Sequence, residues 1–177
     1  MRANNMVAKP FPTQMTPCSS PLPELEVPMI NTMVTCLGIE HRKLNGLNMQ
    51  LAFAATRLAG DASTSAANQQ ALQVWDEIRQ DLWSHLQIED ELVFSWGKAH
   101  QAISGALLET LNNERQEMRK LMAALRALDS ADREPQTAGD RSNFAQTLLA
   151  LARLLDSHVE RYDGEVLPSI LRALLHR

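Results

Sequence analysis

The chain reads as an all-α protein, an up-down-up-down four-helix bundle preceded by a Pro-rich, partly extended N-terminal arm. Three observations predict this. Apolar residues recur at alternating spacings of three and four over four long segments, which marks one face of a helix. Turn-forming residues interrupt the pattern at three places, Asp61 to Asn68, Gly97, and Asp129 to Gly139. The composition, with only 7 Gly and 5% aromatics beside abundant Leu, Ala, Glu, Gln and Arg, favours helix, and no strand-like alternation of any length is present.

Residues 1–24 form the expected flexible arm, with Pro in Lys9-Pro10-Phe11-Pro12 and Thr16-Pro17-Cys18-Ser19-Ser20-Pro21. Proline at this density removes backbone donors and blocks both helix and sheet. Residues 25–177 form the expected bundle domain. Its first helix is predicted from Pro28 to Ala59, with Pro28 suited to a first turn and Gly60 to the position just past the end. Its core stripe is Ile30, Val34, Leu37, His41, Leu44, Asn48, Leu51, Ala55 and Leu58. The second helix runs from about Ala67 to Ser95, with Trp75, Ile78, Leu82, His85, Glu89, Leu92 and Trp96 inward. The third spans about Gln101 to Leu128, with Leu107, Leu111, Glu114, Met118, Leu121, Leu125 and Leu128 inward. The fourth starts at Asp140 or Ser142 and continues to the C-terminus through Phe144, Leu148, Leu151, Leu155, His158, Tyr162 and Val166. Gly164 and Pro168 predict a kink or short break in its last third. Short connections make consecutive helices antiparallel.

A net charge of -4 offers no basic face for nucleic acid. No apolar run approaches a membrane span of about 20 residues. The N-terminus lacks an apolar signal core, so a cytoplasmic location is expected. Cys18 and Cys36 form no disulfide framework and read as free thiols in a reducing compartment.

The stripes carry polar residues that have no place in a dry seam unless something satisfies them. They are His41, His85 with Glu89, Glu114, and His158, at least one from each helix. Residues at equal depth in an antiparallel hairpin are symmetric about its turn. The midpoint of positions 41 and 85 is 63, that of 85 and 114 is 99.5, and that of 114 and 158 is 136. All three fall in or beside the predicted turns, so the polar residues meet in one layer. Three imidazoles and two carboxylates in a dry layer have the composition of a non-haem iron, manganese or zinc site. His100 and His176 are expected at the surface.

Three motifs resemble those of hemerythrin-like (HHE) domains. The run Ile39-Glu40-His41-Arg42-Lys43-Leu44-Asn45 resembles the family's first helix. His85 with Glu89 resembles its second-helix motif, a His with a carboxylate four residues on. His158-Val159-Glu160-Arg161-Tyr162-Asp163-Gly164-Glu165-Val166-Leu167-Pro168 resembles its fourth. The resemblance covers about residues 28 to 175. It implies a metal set of His41, His85, Glu89, Glu114, His158 and Asp163, with the three His as terminal ligands and Glu89 and Asp163 as bridges. It implies non-haem iron as cofactor, a pair of ions, with other divalent metals as alternatives.

The chain departs from the pattern twice. Its third helix supplies no His: Glu114 is the available donor, and Arg115 stands where a His is common. Tyr162 occupies the position four after His158, which leaves the acid role to Asp163. An offset of five residues places Asp163 about 140° around a regular helix from His158, so the helix must adjust near Gly164. These departures leave the second metal's coordination open.

The resemblance implies binding of O2 or NO, with sensing or iron handling expected over bulk oxygen transport, and no enzymatic activity. Leu37, Leu44, Leu82 and Leu155 are the expected dry wall. The alternative is a metal-free or degenerate bundle acting as a regulatory or protein-interaction module. An oxidase-like enzyme ranks third. A monomer or homodimer is expected, with no protein partner identified.

Overall fold

A helix whose apolar side chains repeat at three- and four-residue intervals can hide them only against another such helix, and the chain folds accordingly. The structure is a computed structural model describing residues 27–60, 65–129 and 137–176. The expected arm over residues 1–24, and the loop centres at 61–64 and 130–136, lie outside the described residues. In chain order come α1 (Val27–Ala59), α2 (Ser65–Glu89), α3 (Gly105–Asp129), α4 (Ala138–Arg161) and α5 (Leu167–Leu175). Among the described residues there is no strand. α1 packs against α2 and α4, and α3 closes the bundle against α4 and α2.

The helix ends follow local chemistry. Thr137 caps α4: its hydroxyl accepts from the Asp140 N–H at 3.0 Å, and the Asp140 carboxylate accepts from the Thr137 N–H at 3.2 Å. α3 starts at Gly105, not at Gln101 as the apolar pattern predicts. Gln101 adopts a left-handed φ of 53° and Ala102 N–H bonds back to the Gly97 carbonyl at 2.9 Å, which turns the chain. Gly97 packs closely there: a Cβ would sit 2.8 Å from Ile103 Cδ1, so a larger residue would have to displace that side chain. His100, expected at the surface, is half-buried with its ring 4.6 Å from that of Trp96.

Two rods change pitch. α2 continues into a π-helical turn, Asp90–Gly97, and α4 continues through a second, Tyr162–Val166, into α5. The expected disturbance near Gly164 is therefore a widened turn, with the chain remaining helical on both sides.

The core has two apolar parts. One holds Leu44, Leu51, Trp75, Ile78, Phe144 and Leu148; the other holds Ile30, Leu92, Trp96, Leu111, Val166 and Ile170. Along each helix, the switch from one part to the other falls at the predicted polar positions, His41, His85 to Glu89, Glu114 and His158, with Arg115 beside Glu114. A polar layer thus sits between two greasy ones. A second polar member of the α1 stripe, Asn48, donates its amide N–H to the Ala152 carbonyl at 2.9 Å, while its Oδ1 has no hydrogen-bond partner among the described residues.

Candidate metal centre

The three imidazoles come from three helices and meet. The His41 and His85 ring centroids are 4.9 Å apart, and those of His85 and His158 are 6.4 Å apart. His85, Glu89 and His158 are fully buried, and His41 is 1% exposed. The expected leucine wall is in place, with Leu37, Leu44, Leu82 and Leu155 all buried.

Glu89 lies at the centre. Its Oε1 is 2.8 Å from His158 Nε2 and 3.0 Å from His85 Nε2. Ligand atoms of His41, His85 and Glu89 all lie within 4.8 Å of one another. Among the described residues, four buried polar atoms of the layer have no hydrogen-bond partner, His41 Nε2, Glu89 Oε2, Arg115 Nε and the Tyr162 hydroxyl, while others, such as Asn48 Oδ1 and Asn68 Oδ1, lie elsewhere. Buried polar atoms without partners are costly, and four share this layer.

The opposite nitrogen of every ring is held by a carboxylate. His41 Nδ1 is 2.6 Å from Asp163 Oδ1, His85 Nδ1 is 3.2 Å from Glu40 Oε2, and His158 Nδ1 is 3.0 Å from Glu114 Oε2. A carboxylate on Nδ1 selects the tautomer that leaves Nε2 with its lone pair free, and it makes that nitrogen more basic. Asp163 and Glu114 are thus brought to the layer, but at its outer edge, behind the rings. Arg161 anchors Glu114 further, with Nε donating at 3.0 Å to Oε1.

α3 supplies Arg115 to the layer, 3% exposed. Its Nη2 donates to the Leu86 carbonyl at 3.2 Å and pairs with Asp90, and its guanidinium carbon sits 4.4 Å over the Phe94 ring. Its Nε faces Glu89 Oε2 at 3.6 Å.

Electrostatics follow from these contacts. Burial alone would raise the Glu89 pKa, but the charge of His158 and hydrogen bonds from His158 and His85 hold it at about 2. Burial would lower that of His158, but Glu89, then Glu114, lift it to about 9. His41 is lowered, because burial outweighs its bond to Asp163. Burial, and after it the charge of Glu89, raises Tyr162 well above the ordinary phenol range, so the buried hydroxyl stays neutral. Without a cation, Glu89 is thus neutralised by His158 and faced by Arg115.

Glu40 was not among the sequence-predicted site residues, although it adjoins His41 in the first motif. It lies one residue off the apolar stripe, and only the α1–α2 packing turns it towards His85.

The donor set suits a cation. His41, His85 and the central Glu89 carboxylate converge, and the outer nitrogen of each imidazole is braced by a carboxylate. Architecture and site together define a metal-binding helical bundle. Residues 32–170 match the hemerythrin HHE cation-binding domain, and the chain belongs to that family. No curated protein and no solved structure matches it. Among the described residues, no helix is long and apolar enough to cross a membrane.

Proposed function

We propose that the polar layer holds non-haem iron and that the protein reversibly binds or senses a small diatomic ligand such as O2 or NO, or handles iron, without catalysing the conversion of a larger substrate. The observation that carries this reading is the convergence of His41 Nε2, His85 Nε2 and Glu89 in a dry layer, with a carboxylate behind each imidazole. His41 and His85 would hold the metal through Nε2 and Glu89 through its carboxylate, with His158 beside them at 2.8 Å from Glu89 Oε1. Iron there would supply a coordination position for a diatomic ligand and a one-electron couple.

The chain's residues shape access. His85, His158, Glu89 and Tyr162 are all fully buried between two apolar slabs. A diatomic molecule can reach such a layer through side-chain fluctuations, whereas a metabolite needs an open cleft. The Tyr162 ring lies 5.3 Å from His41 and 5.4 Å from His158. Its buried hydroxyl has no hydrogen-bond partner among the described residues and would be a donor for a ligand bound in the layer.

One observation favours a second reading, a bundle that works without metal as an interaction module. The His158 imidazolium and the Arg115 guanidinium already balance Glu89. Metal analysis of protein purified without chelator, with an optical spectrum before and after exposure of the reduced protein to NO, separates the two. Bound iron and an NO-dependent spectral change support the first reading. Absent metal with an unchanged spectrum supports the second.

A further inference from the structure

We propose that Arg115 takes the place of a second metal ion, so that this layer holds one cation where the family resemblance implies a pair. The proposal rests on the metal-binding reading above and concerns only the number of ions.

Two metals sharing a carboxylate need donors on both sides of it. In this chain the two sides of Glu89 differ. Its Oε1 faces the imidazoles, 2.8 Å from His158 Nε2 and 3.0 Å from His85 Nε2. Its Oε2 faces a guanidinium, with Arg115 Nε at 3.6 Å. α3, the helix that borders that side, brings no imidazole to the layer.

The remaining acids are committed. Glu114 is bonded to His158 Nδ1 and Arg161, and Asp163 to His41 Nδ1. Both oxygens of Glu114 are thereby engaged, and Asp163 stands behind the His41 ring with its side chain 52% exposed, on the outer edge of the layer. Asp90, the other carboxylate near Oε2, is paired with Arg115 itself.

Arg115 is also fixed in place. The Leu86 carbonyl, Asp90 and the face of Phe94 hold the guanidinium from three directions, and it is almost completely buried. Arginine does not give up its proton in proteins. Its positive charge is therefore permanent, and it repels a divalent ion arriving at the same carboxylate oxygen. A guanidinium beside Oε2 supplies the compensation that a second metal would bring, without any ligand sphere. His41, His85 and Glu89, whose ligand atoms all lie within 4.8 Å of one another, remain as a set for a single ion.

The test is anaerobic titration of the full-length, chelator-stripped protein with Fe(II), with bound metal counted per chain, repeated with Mn(II) and followed by electron paramagnetic resonance. The expected result for the parent is one ion per chain and an uncoupled single-ion Mn(II) signal. R115K keeps a cation and is expected to stay at one ion. R115H removes the permanent charge and adds a donor, and is expected to rise to two, with an exchange-coupled Mn(II) signal. Two ions in the parent overturn the proposal and leave the metal-binding reading standing. No bound metal in the parent overturns both. A folded R115H that still takes one ion overturns the role given to Arg115. If R115H does not fold, the parent's stoichiometry and Mn(II) signal still decide whether one ion or two are bound.

Discussion

His158 illustrates how a buried imidazole is set by its neighbours. Both its nitrogens face carboxylates, Glu114 on one side and Glu89 on the other. In chelator-treated protein these groups impose a definite pH profile. His158, raised to about 9, contributes stability that is fully present below 6.5 and lost as pH rises through about 9. Glu89, lowered to about 2, contributes stability present above 4.5 and lost as pH falls towards 2. His41, lowered from 6.5, works against folding in acid, because the unfolded chain takes up its proton more readily. The midpoint of urea unfolding should therefore peak near pH 6.5 and fall on both sides; a midpoint still climbing from there to pH 9 contradicts this assignment. With metal present, Glu40→Gln and Glu114→Gln should each weaken binding by about 10- to 100-fold, read by competition with a chelator. Asp163→Asn should fall at the weak end, because its carboxylate is 52% exposed and water can replace part of the bond. His41, His85, Glu89 and His158 could be read from the sequence because each sits on an apolar stripe, where a polar residue is anomalous. Glu40 could not, because it lies beside its stripe. Arg115 is marked in the sequence only as standing where the family commonly has a His, and that its long stem carries its charge into the layer is seen only in the structure.

At the scale of elements, the four helices and their inward faces follow from periodicity, and every boundary error has a local cause. The early start expected for α3 failed because the left-handed Gln101 and the backbone bond from Ala102 to Gly97 stop the chain from coiling. The π-helical turn after Glu89 leaves no trace in the sequence pattern, because about one added residue per turn is invisible to a three-and-four spacing, whereas Gly164 and Pro168 mark the second as a disturbance. Yet they matter to the layer. The turn from Tyr162 to Val166 changes the angular offset after His158, so that Tyr162 lies buried beside the rings while Asp163 reaches His41 at the surface. The first turn begins directly after Glu89 and carries Asp90 to Arg115. Helix ends distant from the layer should behave independently of it. Thr137→Ala removes the capping box of α4 and should cost about 1 kcal/mol of stability. His158 lies 21 residues further along the helix, so metal affinity should be unchanged. A Thr137→Ala variant that binds metal more weakly would show that the layer senses the helix terminus.

For the whole molecule, the sequence made legible both the bundle and the depth at which its polar residues meet, because antiparallel hairpins tie depth to distance from the turn. What it did not reveal is the order of charges across the layer, since that depends on which neighbour each carboxylate turns to face. The bundle is two apolar slabs joined by a polar layer, and a cation would bridge helices that within that layer meet through hydrogen bonds and ion pairs. Metal that binds only the folded chain stabilises it, and at about a hundredfold excess over the dissociation constant the gain is about 2.7 kcal/mol. For a chain of this size that corresponds to a melting shift of about 5–10 °C. The most direct measurement is the melting temperature of the parent and of His85→Ala, each with Fe(II) and each with chelator, alongside the bound metal per chain. A metal-dependent rise of that size in the parent, with bound iron, and neither in His85→Ala, is the expected result. Equal melting temperatures with and without metal in the parent, or iron retained undiminished in His85→Ala, would contradict a metal centre in this layer.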